Sequence, residues 1–441
     1  MRFSIVPLAV SLLAACTSVA PPPSPCEAGL VARNDCLARS NQQEYSQDIQ
    51  VGLFVDGTDS MRGYVTRSGT TTRYQELLRA LEDALQQFPQ SSRQAYKFGT
   101  RVEALPERRL NIVAGKDPGF YGGVGLYTEI ERVLSDRYIP TKPNYLAVIV
   151  TDLYQRGTDV TSLVRLLKTR YLDKNWVVGL VGIESLFAGR VYDLDTAEAN
   201  RSIKANRPVY ALVIGTQANV AHYFDALKRA NRTLEQSAQF VIFSGQPLKA
   251  GVNFFAEAPL LDSQDDGGLI SMGLLEDGRT FWFRQQGQAD RATFRVCPRL
   301  SLLPYAVGLD GQGDWQSRVA VLEPESSPKT VPWVDAVQVR SDPAACSTEP
   351  QSPLPTGTPL GLAISVNTKL LSNAQEGDYF FEVNLRPAPG RYPSWWDSWN
   401  TEDGVGEPSR TLHLKQFLRS LQAVALGGAR RELSIPFYIR R

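Results

Sequence analysis

Between residues 47 and 244, short and almost unbroken apolar runs alternate with stretches whose apolar residues recur at helical spacing. No other feature of the chain limits its fold so strongly. The runs at 49–56, 95–102, 145–151, 177–183, 209–214 and 240–243 are those of strands buried on both faces, as in a parallel sheet covered by helices. Helices are predicted between them at 73–88, 128–137, 160–172 and 218–230. In the first of these, Tyr74, Leu77, Leu78, Leu81 and Leu85 fall on one face at spacings of three and four. The expected fold class is therefore α/β, a doubly wound and mostly parallel sheet.

After about residue 251 the texture changes to strand-like pieces broken by Gly, Pro and Asp. Strands are predicted at 280–284, 293–299, 318–322, 334–340, 361–367 and 379–385, enough for a second, β-rich and sandwich-like domain. Residues 341–359, rich in Ser, Pro and Thr, form a long loop inside it. A C-terminal piece carries Trp395, Trp396 and Trp399, then an amphipathic helix with Leu414, Phe417, Leu418 and Leu421, and a strand near 433–439. The tryptophans are expected to pack this tail onto the sandwich rather than to form a binding platform. The boundaries that follow are 46–248, 249–390 and 391–441.

Composition narrows the chemistry. The chain has 47 basic against 46 acidic residues, so no net field draws it to nucleic acid. Its two histidines, His222 and His413, argue against His-rich zinc sites and a Ser-His-Asp hydrolase. Carboxylates and hydroxyls remain to carry function. His222, beside Tyr223 and Phe224 in a helical pattern, is read as a structural histidine.

At the amino terminus Arg2 precedes an apolar run over residues 5–15, too short to span a bilayer and ending in small residues, as export signals do. Leu13-Ala14-Ala15-Cys16 resembles the lipobox of bacterial lipoproteins. That resemblance implies removal of residues 1–15, acylation of Cys16, and a lipid-anchored protein of the bacterial cell envelope. Thr17 in place of the Asp of inner-membrane retention points to the outer membrane, facing the periplasm. Residues 16–45, with Pro21, Pro22, Pro23 and Pro25, form an extended tether. The acyl chains would be the only membrane anchor, since no later stretch is long and apolar enough to span. Cys26, Cys36, Cys297 and Cys346 form an even set for an oxidising compartment. Local bridges Cys26–Cys36 and Cys297–Cys346 are the economical pairing of three, with buried free thiols the alternative.

The first strand runs directly into Asp56-Gly57-Thr58-Asp59-Ser60-Met61-Arg62-Gly63. At the carboxyl end of a parallel strand such a loop opens on the crevice where ligands of doubly wound folds bind. A carboxylate and two hydroxyls at alternate positions offer hard oxygen ligands suited to magnesium. This segment resembles the metal-ion-dependent adhesion site of von Willebrand factor A domains, which begins Asp-x-Ser-x-Ser; Thr58 keeps the hydroxyl at the second position. The family's third element is an Asp ending the fourth strand, and residues 146–152, Leu-Ala-Val-Ile-Val-Thr-Asp, make it Asp152. Its second element is a Thr in a loop before a helix. Thr128 fits it, while a competing register through Gly122-Gly123-Val124 would leave Val124 with no ligand oxygen.

The resemblance implies that Asp56, Thr58, Ser60, Thr128 and Asp152 hold Mg2+ or Mn2+. A protein partner would complete the ion's shell with an acidic residue, so that metal loading makes binding conditional. No enzymatic activity and no nucleic-acid partner are implied. Two alternatives stay open: a metal-independent periplasmic scaffold with a vestigial site, and a haloacid-dehalogenase-type phosphotransferase, which needs a second Asp where Thr58 stands. Asp59 adds charge beside the site and could favour the cation or repel an acidic partner. The glycines at 119, 122, 123 and 125 lack the Lys-Ser or Lys-Thr of a phosphate cradle. Residues 187–193 are read as an inserted hairpin.

Overall fold

The computed structural model describes residues 45–65, 71–106, 110–125, 127–153, 160–192, 202–246, 392–404, 407–426 and 433–440, with shorter strand segments and the single residues Tyr305, Asn373 and Gly377 between 248 and 387. Cys16, Cys26, Cys36, Cys297 and Cys346 lie outside the described residues.

The apolar runs do form one sheet. Strands β1 (Gln50–Asp56), β2 (Ser92–Phe98), β3 (Val102–Ala104), β4 (Tyr145–Thr151), β5 (Val177–Arg190), β6 (Ser202–Gly215) and β7 (Gln239–Ser244) lie in the order β3-β2-β1-β4-β6-β5-β7. β1 pairs in parallel with β2 and β4, so the centre of the sheet is parallel as expected. Beyond β4 the expectation fails, because β6 runs antiparallel to both β4 and β5, and β7 antiparallel to β5. The sheet is mixed. The reason is connectivity: β5 and β6 are joined through residues 191–201 alone, and a link that short joins antiparallel neighbours, whereas parallel ones need a longer crossover. The insertion expected at 187–193 is thus part of a hairpin in which Val177 through Arg190 pair with Gly215 back to Ser202.

One face of the sheet is covered by α1 (Arg73–Asp83), α2 (Leu110–Lys116), α5 (Gln217–Ala230) and α6 (Arg232–Ser237), bringing Leu77, Leu81, Phe224 and Leu234 into one core with Leu53, Val148 and Val213. α1 begins at a capping box, in which Thr72 Oγ1 accepts from Gln75 N at 3.3 Å and Gln75 Oε1 accepts from Thr72 N at 3.0 Å. The helix expected at 128–137 is one turn, α3 (Ile130–Val133). Ser135 Oγ donates to Arg132 O at 3.2 Å, a local bond that competes with helix continuation. Thr128 is therefore left in the loop ahead of it.

The other face is closed partly by distant sequence. Alongside α4 (Val160–Arg170), the C-terminal elements α7 (Trp395–Ser398) and α8 (Leu414–Leu426) bury Trp396, Phe417, Leu418 and Leu421 against Leu180, Leu212 and Phe243. Tyr210 and Thr411 hydroxyls meet at 2.9 Å. The tryptophans thus pack onto the α/β sheet and not onto the β-rich region as expected.

That β-rich region has strands at or overlapping each expected position, including Thr280–Gly287, Ala292–Val296, Trp315–Leu322, Val334–Arg340, Gly361–Val366 and Asp378–Pro387. They divide between two sheets, one of which is joined by the final strand Leu433–Arg440. Phe281 and Phe381 pack on Phe437 there, at 5.9 and 5.2 Å between ring centroids. Tyr305 couples this region to the first: its carbonyl accepts from Ile242 N at 2.8 Å and its hydroxyl donates to Asp225.

Candidate metal centre

The site is built by strand register. Because β1 and β4 are parallel neighbours with Gln50 opposite Tyr145 and Val55 opposite Val150, their last residues arrive together at one edge of the sheet. Asp56 and Asp152 are both buried there. Thr58 N donates to Asp56 Oδ1 at 3.0 Å and Thr58 Oγ1 donates to the same oxygen at 2.7 Å, closing a tight Asx-type turn. That turn starts the short 3-10 helix Asp59–Tyr64. Ser60 Oγ lies 3.1 Å and Thr128 Oγ1 3.2 Å from Thr58 Oγ1, and Thr128 Oγ1 donates to Asp56 Oδ2 at 2.7 Å. Four of the five expected ligands are thus in direct contact. The fifth, Asp152, directly follows the adjacent strand β4, close enough for its charge to act on Asp56.

Of the two residues weighed for the second element, Thr128 is the one in contact with Asp56. Val124 instead offers its backbone carbonyl to Thr100 N at 2.9 Å, and its side chain is buried. Asp59 is engaged by Arg62 Nη2 at 2.6 Å, so its charge is locally compensated. His222 is a packing residue: it stacks on Tyr45 at 3.5 Å and meets Phe88 edge-on.

One residue of the site was not singled out from sequence. Thr151 Oγ1 donates to Asp56 Oδ2 at 3.0 Å and accepts from Leu153 N at 3.1 Å. Leu153 has φ +60°, a left-handed conformation that costs free energy for a branched side chain and recurs at functional sites. The β5–β6 hairpin also contributes. Phe187 packs edge-on against Tyr64 at 5.0 Å, and a Cβ on Gly63 would lie 2.4 Å from its ring. Glycine is required at that close approach, and the hairpin thereby supports the loop that carries Thr58 and Ser60.

Burial pushes the Asp56 carboxyl up to about 7; the Asp152 charge adds to the rise, and the bonds from Thr58 and Thr128 oppose it. Two buried carboxylates so close repel each other unless one is protonated or a cation lies between them. Among the described residues no three His, Cys, Asp or Glu side chains converge. What converges is two carboxylates with hydroxyls, a hard-oxygen set that fits Mg2+ or Mn2+ and does not fit a thiolate or imidazole metal. Asp56, Thr58, Ser60, Thr128 and Asp152 would hold such an ion.

Compared with known proteins, the chain matches no family model, no curated protein and no solved structure. Among the described residues no helix is long and apolar enough to cross a membrane.

Proposed function

We propose that this chain is a lipid-anchored bacterial envelope protein whose von Willebrand factor A-like domain binds a protein partner through Mg2+ or Mn2+ held by Asp56, Thr58, Ser60, Thr128 and Asp152. The observation that carries the proposal is the buried convergence of Asp56, Thr58, Ser60 and Thr128 beside Asp152. A bound ion would supply positive charge and an open position for a partner's carboxylate. The chain's own residues orient that position: Thr151 and Thr128 fix Asp56 Oδ2, and Thr58 fixes Oδ1. The antiparallel strands beyond β4 depart from the family's sheet, and through Phe187 their hairpin packs on the loop that carries Thr58 and Ser60.

Ser46 N donates to Asn219 Oδ1 at 2.8 Å, so the chain enters the domain at the end of the sheet where β1 begins. The proposed ligands lie where β1 ends.

A specific observation favours the metal-independent scaffold as the second possibility. Asp56 already accepts four hydrogen bonds, from Thr58 N and the hydroxyls of Thr58, Thr128 and Thr151. Electron paramagnetic resonance of added Mn2+ separates the two. The expected result is loss of the free-ion signal and a change in the bound signal on adding acetate, a bare carboxylate. A signal that stays free supports the scaffold. For the anchor, Cys16→Ser is expected to abolish acyl labelling and release the chain from membranes; unchanged fractionation would contradict it.

A further inference from the structure

We propose that Arg62 is a positioning residue for the metal centre, tying the glycine loop that leads to Thr128 onto the loop that carries Thr58 and Ser60. The inference rests on the metal assignment above and concerns a side chain that is not among the proposed ligands. Thr128 follows a segment that is anchored at its start, where Asp117 Oδ1 accepts from Gly119 N at 2.8 Å and Tyr121 OH donates to Ala114 O at 2.7 Å, and that is glycine-rich beyond it. Gly122, Gly123 and Gly125 have φ of +104°, +78° and +103°, and glycine carries no side chain with which to brace a loop. The bracing comes from outside. Gly122 N donates to Gly57 O at 2.7 Å, and Arg62 Nη2 donates to Tyr121 O at 2.7 Å while lying 2.6 Å from Asp59 Oδ1. One guanidinium nitrogen thus touches both loops, as a hydrogen-bond donor to Tyr121 O and as the ion-pair partner of Asp59.

Two more cations hold the same segment. The Arg101 guanidinium donates to Gly123 O, and Lys97 Nζ lies 4.9 Å from the Phe120 ring centroid. Arg62 is the one that starts from the metal loop itself. A Cβ on Gly122 would lie 3.3 Å from Arg62 Nη2, so the loop is seated directly on this group. The Arg62 and Asp59 side chains are 52% and 42% exposed, and an ion pair so exposed adds little to global stability. Its effect should therefore be local, on where Thr128 stands relative to Thr58 and Ser60.

The test uses the full chain with Arg62→Met and Arg62→Lys. In chelator, amide exchange of peptides spanning residues 117–127 is expected to speed up in Arg62→Met with the melting temperature nearly unchanged. Calorimetric Mg2+ affinity is expected to fall about tenfold, as for loss of one charge-assisted hydrogen bond, and Arg62→Lys should recover much of it. Bound Tb3+ should show one additional water by luminescence lifetime as Thr128 withdraws, a change that general destabilisation would not produce. Unchanged exchange overturns the brace. Faster exchange with undiminished Mg2+ affinity overturns its link to the metal. A parent chain that binds no Mg2+ refutes the metal assignment and this link together, while the exchange data still decide whether Arg62 holds the loop.

Discussion

Asp152→Asn is expected to abolish Mg2+ binding while leaving the chain folded. Replacing one of two carboxylates with a neutral isostere leaves hydroxyls and a single charge to offset dehydration of a divalent ion. The affinity should fall by more than ~100-fold, beyond the 10–100-fold typical of outer-shell partners. Asp56→Ala is a poorer choice, since it strips a partner from Thr58 N and from the hydroxyls of Thr58, Thr128 and Thr151, at about 1–3 kcal/mol for each buried group left unsatisfied. Asp152→Asn also has a signature in pH. With the Asp56 carboxyl raised to about 7 against about 3.9 in an unfolded chain, the metal-free native state holds the extra proton. Its stability contribution is complete below the unfolded value and is lost as pH rises through 7. Removing the Asp152 charge takes away one cause of the rise and leaves burial, so the loss should be shallower. Thermal unfolding in chelator from pH 5 to 8 measures both slopes; identical slopes would mean the two carboxylates do not interact.

Trp396→Ala is expected to cost ~3–5 kcal/mol, the usual penalty for emptying a large aromatic site in a core, and thus a large share of the 5–15 kcal/mol that holds a typical domain folded. The residue is fully buried, stacks near Tyr392 at 4.9 Å and meets Phe243 at 6.4 Å. It belongs to the cover that α7 and α8 place over Leu180 and Leu212 of the α/β sheet. A fragment ending near residue 248 would expose that apolar face and should aggregate or melt without cooperativity. Denaturant unfolding of the Trp396→Ala chain, followed by near-ultraviolet dichroism, measures the first effect. A well-folded fragment of residues 45–246 would show that the sheet does not depend on its C-terminal cover.

The sequence patterns revealed the strands more fully than their directions. An apolar run buried on both faces looks the same whether its neighbour is parallel or antiparallel, so β6 could be located from Val209 to Ile214 without its orientation. The second face was hidden for a different reason. Its cover comes from Trp396 and Leu418, far along the chain from Leu180, and amphipathic spacing shows which side of a helix is buried without showing against what. At the site, Asp56, Thr58, Ser60 and Asp152 were legible because each ends or follows an apolar strand. Thr151 was not, because its place beside Asp56 depends on the register that sets Gln50 opposite Tyr145, which strand patterns alone do not fix. Arg62 gave no such signal, since its role depends on a backbone carbonyl of Tyr121 that no residue pattern encodes.

The central claim is that the buried oxygens around Asp56 form a cation site, and scanning calorimetry of the full chain with Mg2+ or chelator tests it most directly. A ligand bound only by the native state stabilises it by RT ln(1 + [L]/Kd). The melting temperature should therefore climb with the logarithm of Mg2+ concentration once it exceeds Kd, and the climb should begin at lower Mg2+ at pH 8 than at pH 6, because the ion requires Asp56 without its proton. A melting temperature that does not respond to several millimolar Mg2+ at pH 8 would contradict the claim.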